Sequence, residues 1–367
     1  MLRGAKATLD RATGALRSRI SRQARRELAL KDAEISALKR ELARLGGEDL
    51  PAMATGGVPV FFVVGNQKSG TTWLMRILDA HHEILCKGEG RFFGGSWRQK
   101  SLKQRDTMRP ASSLYNALLD AEYLRLWIER SVWSRNDSPD EHLDNLTRMA
   151  IDYFLGGALL KSGKRVVGDK SPLLTPDTIR EISAIYPESK VIHIIRDGRD
   201  VAVSAAHHAR NFGRARQRSG PNETEASIFT EGQLEKLAAE WTSRVGKTVE
   251  DGPALLGENY TEVRYEDLLH DPEPEVRRLL TFLTVDSGEK SVTRCVEAAS
   301  FERLSKGRKR GEEDPSSFFR KGVAGDWKHV FTQKEQEAFD RRAGELLARL
   351  GYQGEGYRHQ ASGQLDT

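Results

Sequence analysis

A chain of 367 residues, 38% hydrophobic and 30% charged, can bury a substantial core, yet has no apolar run near the roughly 20 residues a membrane helix needs. The formal charge of +5 suits an anionic ligand, but residues 1–26 carry eight Lys and Arg against the single acid Asp10, and the remainder is slightly negative. No interleaved basic and aromatic pattern recurs in the body of the chain, which argues against nucleic acid as a partner. Cys86 and Cys295 have neither zinc-ligand nor disulfide-framework spacing, so a reducing compartment fits and the cytoplasm is the expected location.

Residues 1–47 are rich in Ala, Leu, Arg and Glu and lack Pro, which predicts helix. Leu28, Ile35 and Leu42 lie seven residues apart, with Leu38 and Leu45 offset by three, whereas Ala24 and Lys31 weaken the seam. An imperfect coiled coil that makes a homo-oligomer is one reading, and a solvated helix that only precedes the domain is the other. An organellar transit peptide ranks below both, since no cleavage context accompanies the Arg-rich start. Residues 48–58 read as a linker, 59–353 as one catalytic domain and 354–367 as a flexible tail.

Within the domain, Pro59 to Val64 is a buried-strand run, followed by a Gly-containing turn and a helix over 71–80. Strand-like runs recur at Arg165 to Val167 and at Lys190 to Ile195, each followed by turn chemistry and a helical pattern. Thr175-Pro176 has the composition of a helix start. Thr332 and Glu335 have capping-box spacing at the head of a C-terminal helix that Gly351 follows. Uniformly apolar strands alternating with helices indicate an α/β fold, a mainly parallel central sheet flanked by helices with a P-loop-like phosphate-binding turn.

The turn is the sharpest feature. Gly65 to Gly70 directly follows the first strand and opens a helix, so backbone N–H groups and the positive end of the helix make an anion site. Gly65 and Gly70 keep the glycine spacing of a Walker A loop, but Thr71 stands where that loop has its lysine, and Lys68 lies inside the turn. The cation is thereby moved to where it can meet the bridging oxygen of a leaving group. Trp73 reads either as part of this site or as a core anchor of the helix.

Lys68 to Trp73, K-S-G-T-T-W, resembles the 5′-phosphosulfate loop of the sulfotransferases that use 3′-phosphoadenosine-5′-phosphosulfate (PAPS). The resemblance implies that Lys68 contacts the phosphosulfate and stabilises the departing phosphate, that Ser69, Gly70, Thr71 and Thr72 bind its oxygens, and that Trp73 stacks on adenine. Arg196 at the end of a strand, with Ser204 eight residues on, can set two donors around one phosphate, and resembles the family's 3′-phosphate element. Arg199 and Asp200 are expected to form an ion pair at the helix start, outside the site. Arg320-Lys321-Gly322 opens an R-K-G-x-x-G-D-W pattern that resembles the family's loop over the same 3′-phosphate. Tyr265, in Tyr265-Glu266-Asp267-Leu268, and Phe301, in Ser300-Phe301-Glu302, resemble further nucleotide-side elements, although either ring suits a core. Ala299 is a departure, since cytosolic relatives usually have Thr beside that second element.

Sulfuryl transfer by in-line displacement needs positioning, charge stabilisation and a base. Glu89, in Glu89-Gly90-Arg91-Phe92-Phe93, resembles the E-x-x-F-F base element of the glycan and tyrosyl branches and is the candidate general base; Glu83 is its nearest rival, and His207 and His208 are weaker ones. Lys170, in Gly168-Asp169-Lys170-Ser171-Pro172, follows a strand end and resembles the family lysine that faces the sulfuryl group. No residues have metal-ligand spacing, so no metal is expected. The acceptor, whether glycan, lipid or small molecule, is not readable; Trp97, Tyr115, Tyr123, Trp127, Trp133 and a basic loop over Arg210 to Arg218 are the segments available to cover it. Two other classes compete, a P-loop kinase or NTPase, for which Asp169 is the only substitute for a magnesium-binding Asp, and a non-catalytic nucleotide-binding protein that oligomerises through its N-terminal helix.

Overall fold

The computed structural model describes residues 58–94, 113–119, 121–173, 175–214 and 227–353. The expected helical extension, all of the linker but Val58, and the tail lie outside them, as does Trp97.

The first strand, β1 (Val60–Asn66), is buried at every position. Its neighbours are β3 (Val166–Leu173) on one side and β4 (Lys190–Ile195) on the other; β2 (Ile84–Gly88) lies outside β3 and β5 (Tyr260–Arg264) outside β4. All four pairings are parallel, in register Phe61 with Gly168 and Lys190, so the C-terminal ends of the strands lie on one rim, with β2 stopping at the level of Lys170. Such a sheet must be covered on both faces, and the pleat of β1 divides its apolar residues accordingly.

Phe61 and Val63 pack with Leu74, Ile77 and Leu78 of α1 (Thr71–Asp79), beside α8 (Tyr265–His270), α9 (Pro272–Phe282) and α10 (Glu289–Ala298). Val60, Phe62 and Val64 face the other way, onto α4 (Pro139–Ser162) and α5 (Thr178–Ile185), with Phe93 from the loop after β2. Full burial of a side chain such as Phe62 or Leu74 contributes about 1.5–3 kcal/mol. A third cluster joins α6 (Gly198–Arg214), α7 (Gln233–Leu256) and α13 (Gln333–Arg349) around Trp241 and Phe339. The short helices α2 (Leu114–Leu119), α3 (Glu122–Arg130), α11 (Phe301–Leu304) and α12 (Trp327–Val330), and a 3-10 turn at Gly257–Asn259, complete the described elements.

Three expectations need correction. The strand expected to end at Val167 runs on to Leu173, so Lys170 lies within β3 and not in a turn after it. The polar run Asp169-Lys170-Ser171 remains extended because its backbone is laddered to β1 and Asp169 accepts hydrogen bonds from Gly90 N (3.0 Å) and Ser171 Oγ (2.6 Å). Thr175-Pro176 does not open the following helix, which starts at Thr178 with Asp177 before it and no side-chain cap. The basic stretch expected as a loop from Arg210 is helical through Arg214. The capping box of α13 is present, with Thr332 Oγ1 accepting from Glu335 N and the Glu335 carboxylate accepting from Thr332 N.

Candidate active site

The site is built on the strand rim. Between β1 and α1, Ser69 N donates to Asn66 O at 3.0 Å and closes a tight turn in which Lys68 (φ 72°) and Gly70 (φ 95°) are left-handed. Gly70 is required twice over, by that φ and because a Cβ there would stand 2.6 Å from the Tyr265 ring. Ser69 is fully buried and its Oγ makes no hydrogen bond among the described residues, an arrangement that awaits an acceptor or donor at the head of α1.

One cavity of about 840 Å³ opens at this turn. Its lining includes Lys68, Gly70, Thr71, Thr72 and Trp73 from the turn and α1, Glu89 from the loop after β2, Lys170 from β3, Arg196 from the turn after β4, Ser204 from α6, Tyr265, Phe301, and Arg320 to Gly322. Of the residues assigned to the nucleotide loops, and of Glu89 and Lys170, Ser69 alone does not line it, being fully buried beneath the turn.

Lys68, Glu89 and Lys170 form a charged group in the cavity. Lys170 Nζ donates to Glu89 Oε1 at 2.6 Å; the lysine side chain is 5% exposed and the glutamate 56%. Gly88 makes this contact available, because a Cβ there would be 2.7 Å from Lys170 Cε. The hydrogen bond from Lys170 holds the Glu89 carboxyl below its ordinary range, so it is ionised at neutral pH. Burial pulls Lys68 down to about 8, against the opposing pull of Glu89. Glu83, the rival base, is elsewhere: it pairs with Arg165, accepts from Asp286 N at 2.7 Å and does not line the cavity. His208 lines the cavity and His207 does not.

Further cations are gathered in the cavity on a scaffold of backbone. The Arg196 guanidinium lies 4.3 Å from the Tyr265 ring and donates to Lys68 O (3.2 Å) and Val323 O (3.0 Å), tying the first turn to the C-terminal loop. Its Nε is buried without a partner among the described residues. In that loop Asp326 holds both neighbouring cations, pairing with Arg320 and accepting from Lys321 Nζ at 2.6 Å. Gly322 (φ 67°) passes so close to Phe301 that a Cβ would lie 2.4 Å from the ring. Trp73 lines the cavity and also packs inward, its Nε1 donating to Ala299 O (2.9 Å) and its ring meeting Tyr265 edge-on at 5.4 Å. Ala299, where a threonine was the usual residue, contributes its carbonyl.

The expected ion pair between Arg199 and Asp200 is not formed. Arg199 forks onto its other neighbour, Asp197, at 2.9 and 2.8 Å, and stacks on Trp327. Asp200 turns to the C-terminal loop, accepting from Gly325 N (2.7 Å) and Trp327 N (3.0 Å), with Arg196 3.7 Å away. Asp200 thus supports the site, and its spacing from a loop more than a hundred residues on gave no local sign of it. Arg91, Arg310 and Phe318 also line the cavity and carried no motif; the Arg308-Lys309-Arg310 run was the available signal for the second. The aromatics expected near an acceptor divide: Tyr115 is buried against Phe93, while Tyr123, Trp127 and Trp133 are exposed and away from the cavity.

The sequence is similar to a flavonol 3-sulfotransferase from Flaveria bidentis, 30% identical over 205 residues, 50% of this chain and 64% of that one. It is similar to sulfotransferase 1B1 from Canis lupus familiaris, 29% identical over 175 residues covering 43% and 56%. An amine sulfotransferase from Oryctolagus cuniculus is 27% identical over 294 residues, 76% of this chain and 78% of that one. The matches thus span somewhat more than half the length of the first two relatives. The model of the sulfotransferase family matches residues 59–289, from the residue before β1 to the start of α10, and includes the phosphate turn, Glu89, Lys170, Arg196, Ser204 and Tyr265; the chain belongs to the sulfotransferase family.

Proposed function

We propose that the protein transfers a sulfuryl group from PAPS to the hydroxyl of an acceptor, with Glu89 as general base. The observation that carries this reading is the gathering of Lys68, Glu89 and Lys170 in one cavity with Arg196, Ser204 and Arg320 to Gly322. The unpartnered, buried Ser69 Oγ and Arg196 Nε, together with the free N–H groups at the head of α1, fit an anionic nucleotide. Lys68, Ser69, Gly70, Thr71 and Thr72 would hold its 5′ end, Arg196, Ser204, Arg320, Lys321 and Gly322 its 3′-phosphate, and Trp73, Tyr265 and Phe301 its base and sugar. Bound there, the donor supplies a sulfuryl group activated by its anhydride bond to phosphate.

The Glu89 carboxylate takes the acceptor hydroxyl proton as the acceptor oxygen bonds to sulfur and the bond from sulfur to the phosphate oxygen breaks, leaving a sulfate ester and 3′-phosphoadenosine-5′-phosphate (PAP). Lys68 meets the charge that develops on the leaving oxygen, and Lys170, released from Glu89 when that group is protonated, faces the sulfuryl oxygens. A kinase fits less well. Thr71 stands at the Walker lysine position, and both oxygens of Asp169 are committed to Gly90 N and Ser171.

Magnesium-independent transfer of labelled sulfuryl from PAPS, without ATP hydrolysis, tests the reaction class. Glu89→Gln is expected to bind PAP as the native protein does and to lose about 10²–10⁴-fold in turnover; retained turnover would remove Glu89 from the base role. The relatives named for a flavonol and for amines do not fix the acceptor. Self-association through residues 1–47 and a cytoplasmic location, which the two buried, free cysteines fit, belong to the same reading.

A further inference from the structure

The cavity carries a cation for which the proposed donor has no use. Lys170 is paired with Glu89, Arg196 is bonded to two carbonyls, Arg320 and Lys321 are held by Asp326, and Arg310 donates to Leu269 O at 2.8 Å. Among the described residues, Lys68 and Arg91 are the lining Lys and Arg whose side chains make neither hydrogen bond nor ion pair. Lys68 belongs to the phosphate turn. Arg91 belongs to no phosphate element; it stands two residues beyond Glu89, on the loop that carries the base.

The backbone of that loop is fixed beneath both side chains, which are themselves exposed. Glu89 (φ 62°) and Arg91 (φ 53°) are both left-handed, a conformation that L residues adopt at a cost and that persists where surrounding structure enforces it. Here Glu89 N donates to Lys170 O, Gly90 N to Asp169, Gly94 N to the Glu181 carboxylate at 2.6 Å, and Leu114 N to Arg91 O at 2.9 Å, while Phe92 and Phe93 are buried beneath. An unpaired guanidinium beside a base is also a handicap, because its field disfavours proton uptake by Glu89, adding to the larger effect of Lys170. A negative group brought in by the acceptor would cancel that field as it binds. The Arg91 guanidinium would in turn offset the repulsion that such an anion meets from Glu89 and from an anionic donor.

We propose that Arg91 anchors the acceptor, and that the acceptor carries an oxyanion, a carboxylate or an ester of sulfate or phosphate, near the hydroxyl that is sulfated. This rests on the sulfotransferase reading of the cavity. The guanidinium fork matches a carboxylate in two parallel bonds, which fixes orientation as well as charge.

The test uses the full chain saturated with PAP, titrated calorimetrically with glucuronate and 4-hydroxybenzoate and with the neutral amides glucuronamide and 4-hydroxybenzamide. At least one carboxylate is expected to bind about tenfold or more tightly than its amide, the range of a charge-assisted hydrogen bond. Arg91→Gln should abolish that preference with PAP affinity unchanged within about twofold, and Arg91→Lys, a point charge without the fork, should keep part of it. Carboxylates and amides that bind the native protein alike, or not at all, overturn the proposal, as does a preference that survives in Arg91→Gln. A large loss of PAP affinity in that variant would assign Arg91 to the donor and also overturn it. Native protein that fails to bind PAP would remove the donor assignment itself, and this one with it.

Discussion

Asp200→Ala removes a group that touches no proposed substrate, yet it should cost nucleotide affinity. Its two oxygens accept from Gly325 N and Trp327 N and so attach the loop carrying Arg320 to Gly322 onto α6, which starts two residues after Arg196 leaves β4. Hydrogen bonds to a charged acceptor contribute about 1.5–3 kcal/mol each, so the pair anchors the loop by about 3 kcal/mol at the lower end. Water recovers about 1 kcal/mol of this at Gly325, whose N–H is only partly buried, leaving about 2 kcal/mol. If PAP binds only with the loop in place, that loss corresponds to roughly a 30-fold weaker affinity. Calorimetry gives the affinity, a thermal melt checks that the domain remains folded, and limited trypsin digestion at Arg320 and Lys321 reports release of the loop. A folded variant whose PAP affinity is within about twofold of native, with the loop still protected, would refute the reasoning.

Two further outcomes follow from the geometry, besides those given for Glu89 and Arg91. Burial holds Lys68 near pH 8, so its ammonium is present below that pH and lost above it; PAP, an anion, should bind progressively less well from pH 8 upward, and Lys68→Arg, always charged, should flatten this limb. A PAP dissociation constant independent of pH between 7 and 9.5 would contradict it. Thr332→Ala removes one half of the capping box on α13 and is expected to destabilise the domain by about 1 kcal/mol, lowering the melting temperature by about 2–4 °C with turnover unchanged. Differential scanning calorimetry checks the first part, and an effect on turnover would mean that α13 reaches the site.

Features that depend on neighbours in sequence were legible before the structure. The phosphate turn is one, because strand, glycine spacing and helix start are all local; the capping box is another; and the apolar run of β1 marks a strand covered on both faces. Glu89, Lys170 and Arg320 were found by their motifs, not by any periodicity. What was missed depended on partners far along the chain. Asp169-Lys170-Ser171 has the composition of a turn, and only its ladder with β1 and the hydrogen bond from Gly90 keep it extended. Asp200 sits beside Arg199, but each finds a better-placed partner, Gly325 and Trp327 for the one and Asp197 for the other. Arg91 lies inside a motif whose recognised letters are its neighbours, and only its backbone angle and its place on the cavity single it out.

The grip of Asp326 on Arg320 and Lys321 bears on how a cycle would end. Two bare cations would greet a phosphate with their full attraction and surrender it slowly. With Asp326 already between them and Glu313 paired with Arg320 at 2.6 Å, an arriving phosphate gains only the difference between two pairings, and a departing one leaves behind cations that are again paired. On the proposed reading, some tightness is exchanged for faster product departure, and the loop keeps its shape between turnovers. Asp326→Asn should then hold PAP longer, provided the loop still folds around Asp200.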